Sequence, residues 1–164
     1  IFGKTILKNP IPFSYAVHML EHYYDPFHKL LKKQIMYLSN IFGFCYHIDL
    51  HTMPSKALLN FKKEPDIVLG DNFGKSCSIG LPNYFQNVFK ENGFTVELNN
   101  PYAGGFITRN YGNPSKGVHT IQIEINRKIY IDENKLSLKN IEILQEIFAK
   151  IFNNLELSEK IAAE

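Results

Sequence analysis

The chain has 164 residues, of which 45% are hydrophobic and 13% aromatic, so it is long and apolar enough to form a folded core. Its formal net charge is +2, and the lysines are scattered through both halves, unlike the concentrated basic patch of a nucleic-acid-binding protein. No apolar run approaches the ~20 residues of a membrane-spanning helix, so we expect no membrane segment. Since no repeat or linker interrupts the sequence, we predict a single domain over residues 1–164.

The amino-terminal quarter of the chain predicts a short extended piece followed by helix. Residues 1–11 are mixed in character, and a helical pattern runs from Phe13 to about Tyr24. Asp25 before a proline predicts a helix N-cap, so a second helix, or a kinked continuation of the first, should run from Pro26 to about Asn40. Its apolar stripe would consist of Phe27, Leu30, Leu31, Ile35 and Leu38.

The stretch from Phe42 to Ser55, FGFCYHIDLHTMPS, predicts a buried central strand of an α/β sheet. Asp49 and His51 would lie at its carboxyl tip on one face, because side chains alternate along a strand. Ligands of open α/β sheets bind beyond such tips, and a carboxylate can fix the tautomer of a metal-binding imidazole. The alternative is a hydrogen-bonded pair that merely ends the strand.

Two cysteines and the remaining elements complete the prediction. Cys45 and Cys77 have no metal-type spacing, which indicates free thiols in a reducing compartment, and we expect a cytoplasmic protein.

Strands and helices alternate in the rest of the chain, as in α/β proteins. In order, we predict a polar connection at 56–64, a strand at 66–69 with Asp71 at its tip, a helix at 82–92 ended by Gly93, a strand at 94–98, a long loop at 99–117, a strand at 119–126 and a helix from near Ser137.

The strand HTIQIEIN at 119–126 has the sharpest two-residue alternation in the chain. Three isoleucines occupy one face, and the other face carries Thr120, Gln122, Glu124 and Asn126. The last helix should bury a stripe formed by Ile141, Leu144, Ile147, Phe148, Ile151, Phe152 and Leu155.

Five ordered blocks resemble the N-formylglutamate amidohydrolase (deformylase) family, and together they cover most of the chain. They are YYDPFHKLL at 23–31, DLHTMPS at 49–55, DIVLGDNFG at 66–74, NPYAGGFITRNYG at 100–112 and IQIEINRKIYID at 121–132. The resemblance implies a three-layer α/β/α fold of the zinc-exopeptidase (phosphorylase/hydrolase-like) type. It also implies zinc-dependent hydrolysis of the amide of an N-formyl or other N-acyl amino acid such as N-formylglutamate, a small-molecule substrate.

By this resemblance, His51 takes the position of a zinc-binding histidine, and Asp49 is the partner that orients it. Glu124 aligns with the carboxylate that moves a proton from the attacking water to the leaving amine. Without the resemblance, the polar face of the Glu124 strand would be assigned to solvent. His47 shares the face of His51 but lies ~13 Å away at ~3.3 Å per residue, so we assign it a structural role.

Substrate contacts are predicted from charge and loop chemistry. Arg109 follows the paired glycines of the long loop, and its guanidinium suits a carboxylate. Arg127 is the candidate for the second carboxylate of an N-acyl glutamate, although either arginine would also fit a surface salt bridge. Asp71, Asn126 and Tyr102 are further candidates for lining the pocket, and Tyr102 could equally serve packing alone.

One motif points to a different site. His18, Glu21 and His22 fit the pattern H-x-x-E-H, in which two histidines one helical turn apart bind zinc and the glutamate activates water. The resembling family does not use these positions, and the simpler interpretation is the solvated face of an amphipathic helix. A zinc peptidase using these residues stays open as an alternative.

A catalytic zinc site needs three protein ligands, and the family pattern supplies the other two upstream of anything present here. We therefore expect a chain truncated at its amino terminus relative to the family, as a fragment, a split-gene product or a degenerate remnant. Completion would require a segment upstream of Ile1, a separate chain carrying the missing half, or self-association. The isolated chain is expected to bind zinc weakly and to have little activity. The other function class is an inactive remnant that binds acyl amino acids or a protein.

Overall fold

A computed structural model describes residue 5 and residues 7–58 and 64–155 of the chain. The helices are α1 (Phe13–Met19), a π-helical segment (Leu20–Tyr24), α2 (Asp25–Phe42), α3 (Gly80–Glu91), α4 (Phe106–Tyr111) and α5 (Ile141–Leu155). The strands are β1 (Cys45–Met53), β2 (Ile67–Gly70), β3 (Val96–Leu98), β4 (Val118–Asn126), β5 (Ile131–Asp132) and β6 (Ser137–Leu138). None of the described helices is both long and apolar enough to cross a lipid bilayer.

The main sheet is mixed and has the strand order β1-β4-β2-β3. β4 lies between β1, to which it is parallel, and β2, to which it is antiparallel, and all nine of its residues are buried. The prediction that β1 is the central, buried strand is wrong, because it forms an edge of the sheet within the described residues. Leu50 on this strand is 52% exposed. An apolar run looks the same in sequence whether a neighbouring layer covers it or not.

The two faces of the sheet have different chemistry, as the alternation of β4 predicted. On the apolar face, Ile121, Ile123 and Ile125 pack with residues of α3 and α5 in the main core. We call the other side the polar face; the side chains of Thr120, Gln122, Glu124 and Asn126 on it are buried rather than in water. The layers of an α/β/α arrangement, predicted from the resemblance, are therefore present.

Helices α2 and α4 cover one end of the polar face. Ile35 of α2 and Tyr111 of α4 form a small core with Cys45 and Val118, the first residues of β1 and β4. A Tyr111–His28 contact, at 2.6 Å between the hydroxyl and Nδ1, ties α4 to α2. His47, predicted to be structural, lies beside this cluster with its ring 6.2 Å from that of Tyr111.

The two predicted amino-terminal helices form one continuous helical run from Phe13 to Phe42. Asp25 does not act as an N-cap, because the residue before it, Tyr24, is already helical. Pro26, which lacks an N–H donor, lies two residues after the end of the π-helical segment, where the regular hydrogen-bond ladder is already interrupted. The run ends at Gly43, whose φ of 80° is the left-handed conformation typical of a helix end.

Several boundaries differ from the prediction because short elements have no periodic signal. The loop predicted at 99–117 contains α4 and a 3-10 turn at Pro114–Lys116. The last helix begins at Ile141, and Ser137 belongs to β6 instead. The third strand is shorter than the predicted 94–98, whereas the predicted helix at 82–92 and its stop at Gly93 are confirmed. Residues 59–63 of the predicted polar connection, and residues 1–4 and 6, lie outside the described residues.

His119 should make the fold sensitive to acid. It is 2% exposed, its Nδ1 accepts the Ser78 N–H at 3.0 Å, and burial lowers its pKa. The neutral form is favoured in the folded chain, so its contribution is complete above the unfolded-state pKa of about 6.5 and is lost as pH falls from there through the lower folded-state pKa. We expect the temperature at the midpoint of thermal unfolding to decrease as the pH is lowered through that range. In His119→Asn, which keeps a hydrogen-bond acceptor, this decrease should be smaller.

The matched control for this prediction is His22→Asn on the exposed amino-terminal helix, which should follow the wild-type curve. Burial also lowers the pKa of His47, an effect that nearby Asp49 partly opposes, so some acid sensitivity should remain in His119→Asn. Identical pH dependence of the unfolding midpoint in the wild type and His119→Asn would contradict the prediction.

Candidate functional site

The parallel pairing of β1 with β4 brings together the residues that the sequence singled out. In this register His51 is opposite Glu124 and Asp49 is opposite Gln122, and all four side chains lie on the polar face. His51 Nε2 is 3.1 Å from Asp49 Oδ2, and His51 Nδ1 is 3.6 Å from Glu124 Oε1. His51 and Glu124 lie on the face of the sheet two residues before the strands end at Met53 and Asn126, and Asp49 and Gln122 lie four residues before those ends, rather than at the predicted tip.

Glu124 is buried yet incompletely hydrogen-bonded. Its Oε1 accepts from Gln122 Nε2 at 3.0 Å, whereas its buried Oε2 has no hydrogen-bond partner among the described residues. Burial raises the pKa of Glu124 most; His51, the Gln122 hydrogen bond and Arg127 lower it, and Asp49 raises it. A buried carboxylate oxygen without a partner is costly, so this atom is a candidate for contact with a ligand or a water.

Gln122 links Glu124 to the glycine-containing loop before α4. Its Oε1 accepts the Gly105 N–H at 2.6 Å while its Nε2 donates to Glu124, so both ends of the amide are used. The loop can reach this position because β2 ends in Gly70. A Cβ there would lie 2.6 Å from the backbone nitrogen of Gly104, closer than real contacts allow.

The neighbours of His51 define the chemistry of its ring. With Nε2–H donated to Asp49, the tautomer assigned from this geometry leaves a lone pair on Nδ1, directed toward Glu124. A lone pair and a carboxylate therefore face the same space, and 43% of the His51 side chain is exposed there. Such an electron-rich position suits a proton or a cation.

Whether the described residues can bind zinc depends on how many suitable ligand side chains they bring together. Catalytic zinc takes three protein ligands and a water. Among the residues that the structure describes, no group of three or more His, Cys, Asp or Glu side chains is arranged to hold a metal ion. His51 offers one suitable nitrogen, but the described residues do not form a zinc site by themselves.

The two predicted arginines differ in their relation to this group, and neither makes a hydrogen bond or ion pair with it among the described contacts. Arg109 is on α4, which covers the polar face, and its exposed side chain makes no hydrogen bond or ion pair with His51 or Glu124 among the described contacts. Arg127 follows β4 and donates from Nε to Thr52 Oγ1 at 3.2 Å. It is partly buried, and its charge reaches Glu124.

The other predicted pocket residues have structural contacts. Asp71 is buried and accepts from Asn99 Nδ2 at 2.6 Å and from the Gly74 N–H at 2.9 Å, so it organises two turns. Because β2 is antiparallel to β4, Asp71 follows the end of β2 nearer Gln122, away from the carboxyl ends of β1 and β4. Asn126 is fully buried and bonded to Ser55, Lys128 and Pro65. Tyr102 packs on an apolar cluster of Met53, Leu58 and Val68.

The H-x-x-E-H residues do not belong to any group of three or more side chains placed to hold a metal ion among the described residues. The rings of His18 and His22 lie with centroids 4.0 Å apart in a tilted arrangement, and His22 Nδ1 is bonded to the His18 carbonyl at 2.9 Å. Both histidines and Glu21 are exposed, and Glu21 and His22 lie in the π-helical segment, which changes the turn geometry. Nothing in this arrangement supports the alternative of a zinc peptidase centred on these residues.

Comparison with known proteins identifies the family. A sequence profile for N-formylglutamate amidohydrolase matches residues 2–131, which include β1, β4 and the whole polar group around His51. The chain belongs to the N-formylglutamate amidohydrolase family. It is similar to an N-formylglutamate deformylase of Pseudomonas putida, with 35% identity over 118 residues, and to one of Pseudomonas aeruginosa, with 33% identity over 116 residues.

The family fold is confirmed by a solved structure. The crystal structure of N-formylglutamate amidohydrolase from Ralstonia eutropha JMP134 superimposes with a TM-score of 0.80 and 28% identity. The match covers 85% of this chain and 52% of that chain. The Pseudomonas matches cover 71% and 70% of this chain but 44% of each relative. The chain thus spans about half the length of the family members that it matches.

Sequence reasoning missed two groups of this site. Gln122 was recognised only as part of a polar face, and the Gly105 N–H was not considered. Gln122 could have been found from the alternation, because it precedes Glu124 by two residues on a strand and so must lie beside it. The Gly105 contact depends on the path of a loop and has no comparable sequence signal.

Proposed function

We propose that this chain carries the proton-transferring part of a site that hydrolyses the amide of an N-formyl amino acid such as N-formylglutamate. The observation that carries the proposal is the buried Glu124 carboxylate, whose Oε1 lies 3.6 Å from Nδ1 of the exposed His51 ring and whose Oε2 has no hydrogen-bond partner among the described residues. The curated relatives named N-formylglutamate deformylase supply the reaction class. The complete protein's activity is part of this proposal.

In the proposed reaction, water attacks the formyl carbon, the C–N bond breaks, and formate and a free amine leave. Glu124 takes a proton from the attacking water and returns it to the amine nitrogen, so the carboxylate is unchanged after one cycle. Burial raises its pKa and makes it a better proton acceptor than an exposed carboxylate. Gln122 holds Oε1 and leaves Oε2 for the water.

His51 and Asp49 are proposed to act as a pair. Asp49 accepts the Nε2 proton and so fixes the ring orientation, which keeps the Nδ1 lone pair directed into the site. We propose that His51 contributes this nitrogen to a zinc ion whose other ligands lie outside the described residues. Because the described donors do not complete a zinc site, no step of the reaction is assigned to the ion.

Substrate recognition is assigned to the two arginines. An N-formylglutamate has two carboxylates, and Arg109, exposed on the helix that covers the polar face, is the candidate for one of them. Arg127, at the end of β4, is the candidate for the other. Both cysteines are free and buried, in keeping with the proposal of a cytoplasmic protein.

The test measures formate release from N-formyl-L-glutamate by the purified chain with added Zn²⁺, together with its zinc content after dialysis. We expect zinc below one equivalent and slow release of formate and glutamate in equal amounts, because one imidazole holds zinc poorly. N-formyl-L-leucine, which lacks the second carboxylate, should react more slowly, and His51→Ala should lose both zinc and turnover.

Two outcomes would contradict the proposal. Formate release that survives His51→Ala would remove this residue from the site. Binding of N-formyl-L-glutamate without any formate release would instead support a non-catalytic descendant of the family that retains the ligand pocket.

A further inference from the structure

Helix α4 is too short to hold its own position. With six residues, Phe106–Tyr111, it is shorter than the ~12 residues below which an isolated helix is marginal in water. Its N-cap residue is Gly105, whose N–H donates to Gln122 beside Glu124, so a displacement of α4 would disturb the proposed general base. Contacts with the rest of the molecule must therefore keep α4 in place.

One side chain of α2, His28, contacts both ends of α4. Its ring is nearly perpendicular to that of Phe106, the first residue of α4, with centroids 5.3 Å apart. It stacks on the ring of Tyr111, the last residue, with centroids 5.8 Å apart and an angle of 16° between the ring planes. His28 belongs to the block YYDPFHKLL at 23–31, which contributed to the family resemblance but has no role in the proposed reaction.

Two hydrogen bonds join Tyr111 to His28. The Tyr111 hydroxyl is 3.2 Å from the His28 carbonyl oxygen and 2.6 Å from Nδ1 of the same residue. A carbonyl oxygen can only accept, so the hydroxyl donates its one proton to it, and Nδ1–H donates to the hydroxyl oxygen. The geometry of these contacts therefore assigns the Nδ1–H tautomer to His28.

These hydrogen bonds give direction to a contact that is otherwise apolar. Ile107 and Tyr111 of α4 share a small apolar cluster with Leu31 and Ile35 of α2. Apolar contacts are not directional, so they do not fix how far a short helix is rotated or shifted along its axis. The Tyr111 hydroxyl must meet two atoms of one residue, and this requirement fixes the end of α4 relative to α2.

The other end of α4 is closely joined to the loop that reaches Gln122. Gly104 has a φ of 113°, and a Cβ there would lie 2.7 Å from Cγ2 of Thr108 on α4. The Arg109 N–H donates to the Gly105 carbonyl at 3.2 Å. Because loop and helix are packed this tightly, we expect them to move together, and a shift of α4 would carry the Gly105 N–H away from Gln122.

We propose that His28 is a positioning residue for Glu124, acting through Tyr111 and α4. By holding the end of α4, it keeps the Gly105 N–H on the side chain of Gln122. Gln122 in turn holds one oxygen of Glu124 and leaves the other for the attacking water. The inference rests on the proposed function, because Glu124 is the proposed general base.

Two variants break this link, and a third should preserve it. Tyr111→Phe keeps the ring but removes the hydroxyl, and His28→Leu removes the ring donor. We expect the Gly105 amide to exchange with solvent about tenfold faster in both, and the Gln122 side-chain amide resonances to shift, because these hydrogen bonds loosen. His28→Asn places a side-chain N–H near the position of Nδ1, so its exchange rate should stay within about threefold of the wild type.

Formate release from N-formyl-L-glutamate is measured on the same variants with added Zn²⁺. Tyr111→Phe and His28→Leu should lower kcat by about tenfold or more, because a small displacement of a catalytic group is costly, whereas His28→Asn should largely restore it. The matched control is Tyr37→Phe, which removes a hydroxyl from a 59% exposed tyrosine on the same helix, α2. It should match the wild type in every measurement.

Three results would overturn the inference. The first is unchanged Gly105 exchange in Tyr111→Phe and His28→Leu. The second is an equal acceleration at the amides of β2, the internal reference, because it would indicate a general loss of stability. The third is a lower rate with unchanged Gln122 resonances. Exchange and resonance measurements need no turnover, so a wild-type chain without formate release would contradict the proposed reaction and leave the test of His28 intact.

Discussion

We expect Glu124→Gln to release formate from N-formyl-L-glutamate about 10²- to 10⁴-fold more slowly than the wild type, because this is the usual contribution of a positioned general base, the role proposed for Glu124. The amide has the shape of the carboxylate and can still accept the Gln122 hydrogen bond, so the site keeps its geometry. What it loses is the basic oxygen at the position of Oε2, which has no other partner among the described residues. The initial rate of formate release is measured with added Zn²⁺.

The control for this prediction is Glu97→Gln on β3, an exposed glutamate on the far strand of the same sheet. It should retain the wild-type rate. Circular dichroism and thermal unfolding should show both variants folded. A Glu124→Gln variant that kept its full rate would remove Glu124 from proton transfer.

Phe89→Ala should lower the free energy of unfolding by about 3–5 kcal/mol, as expected for a large buried aromatic side chain replaced by alanine. Phe89 is fully buried on α3, and its ring contacts those of Phe85, Phe94 and Phe148, the last with centroids 5.9 Å apart. These contacts join α3 to α5 beneath the apolar face. Since domains are stable by only about 5–15 kcal/mol, this loss should remove a large fraction of the free energy of unfolding.

Urea unfolding at 25 °C measures this change, with Phe13→Ala as the control. Phe13 is 85% exposed at the start of α1, and its replacement should change the free energy of unfolding by less than about 0.5 kcal/mol. A loss below about 1 kcal/mol for Phe89→Ala would mean that α3 and α5 are not held together through this ring.

The alternation of hydrophobic and polar residues predicted β4 and the close approach of Asp49 to His51, because side-chain direction in a strand follows from position alone. It did not predict which strand lies at the edge of the sheet. Ile48 and Leu50 on β1 look in sequence like the buried isoleucines of β4, and only the neighbouring layers distinguish them. The burial of the polar face likewise depends on α4, whose six residues are too few to give a periodic pattern.

The candidate site was predictable to a similar extent. The resemblance named His51 and Glu124, whose side chains lie close together in the structure, and no comparison tests their roles. The contacts of Asp71, Asn126 and Tyr102 are tertiary, so the sequence could not distinguish pocket residues from those that hold turns or fill apolar clusters. The hydrogen bond between Gln122 and the Gly105 N–H could not be predicted, because it depends on the path of a loop over Gly70.

The pairing of β1 with β4 has a consequence for how this protein tolerates insertions and deletions. His51 and Glu124 belong to strands far apart in sequence, and their proximity depends on one alignment between those strands. A slip of β1 by a single residue would turn the imidazole to the opposite side of the sheet and place Leu50 or Thr52, depending on the direction, opposite the carboxylate. A one-residue deletion between Gly43 and Asp49 should therefore inactivate the site even if every strand still forms.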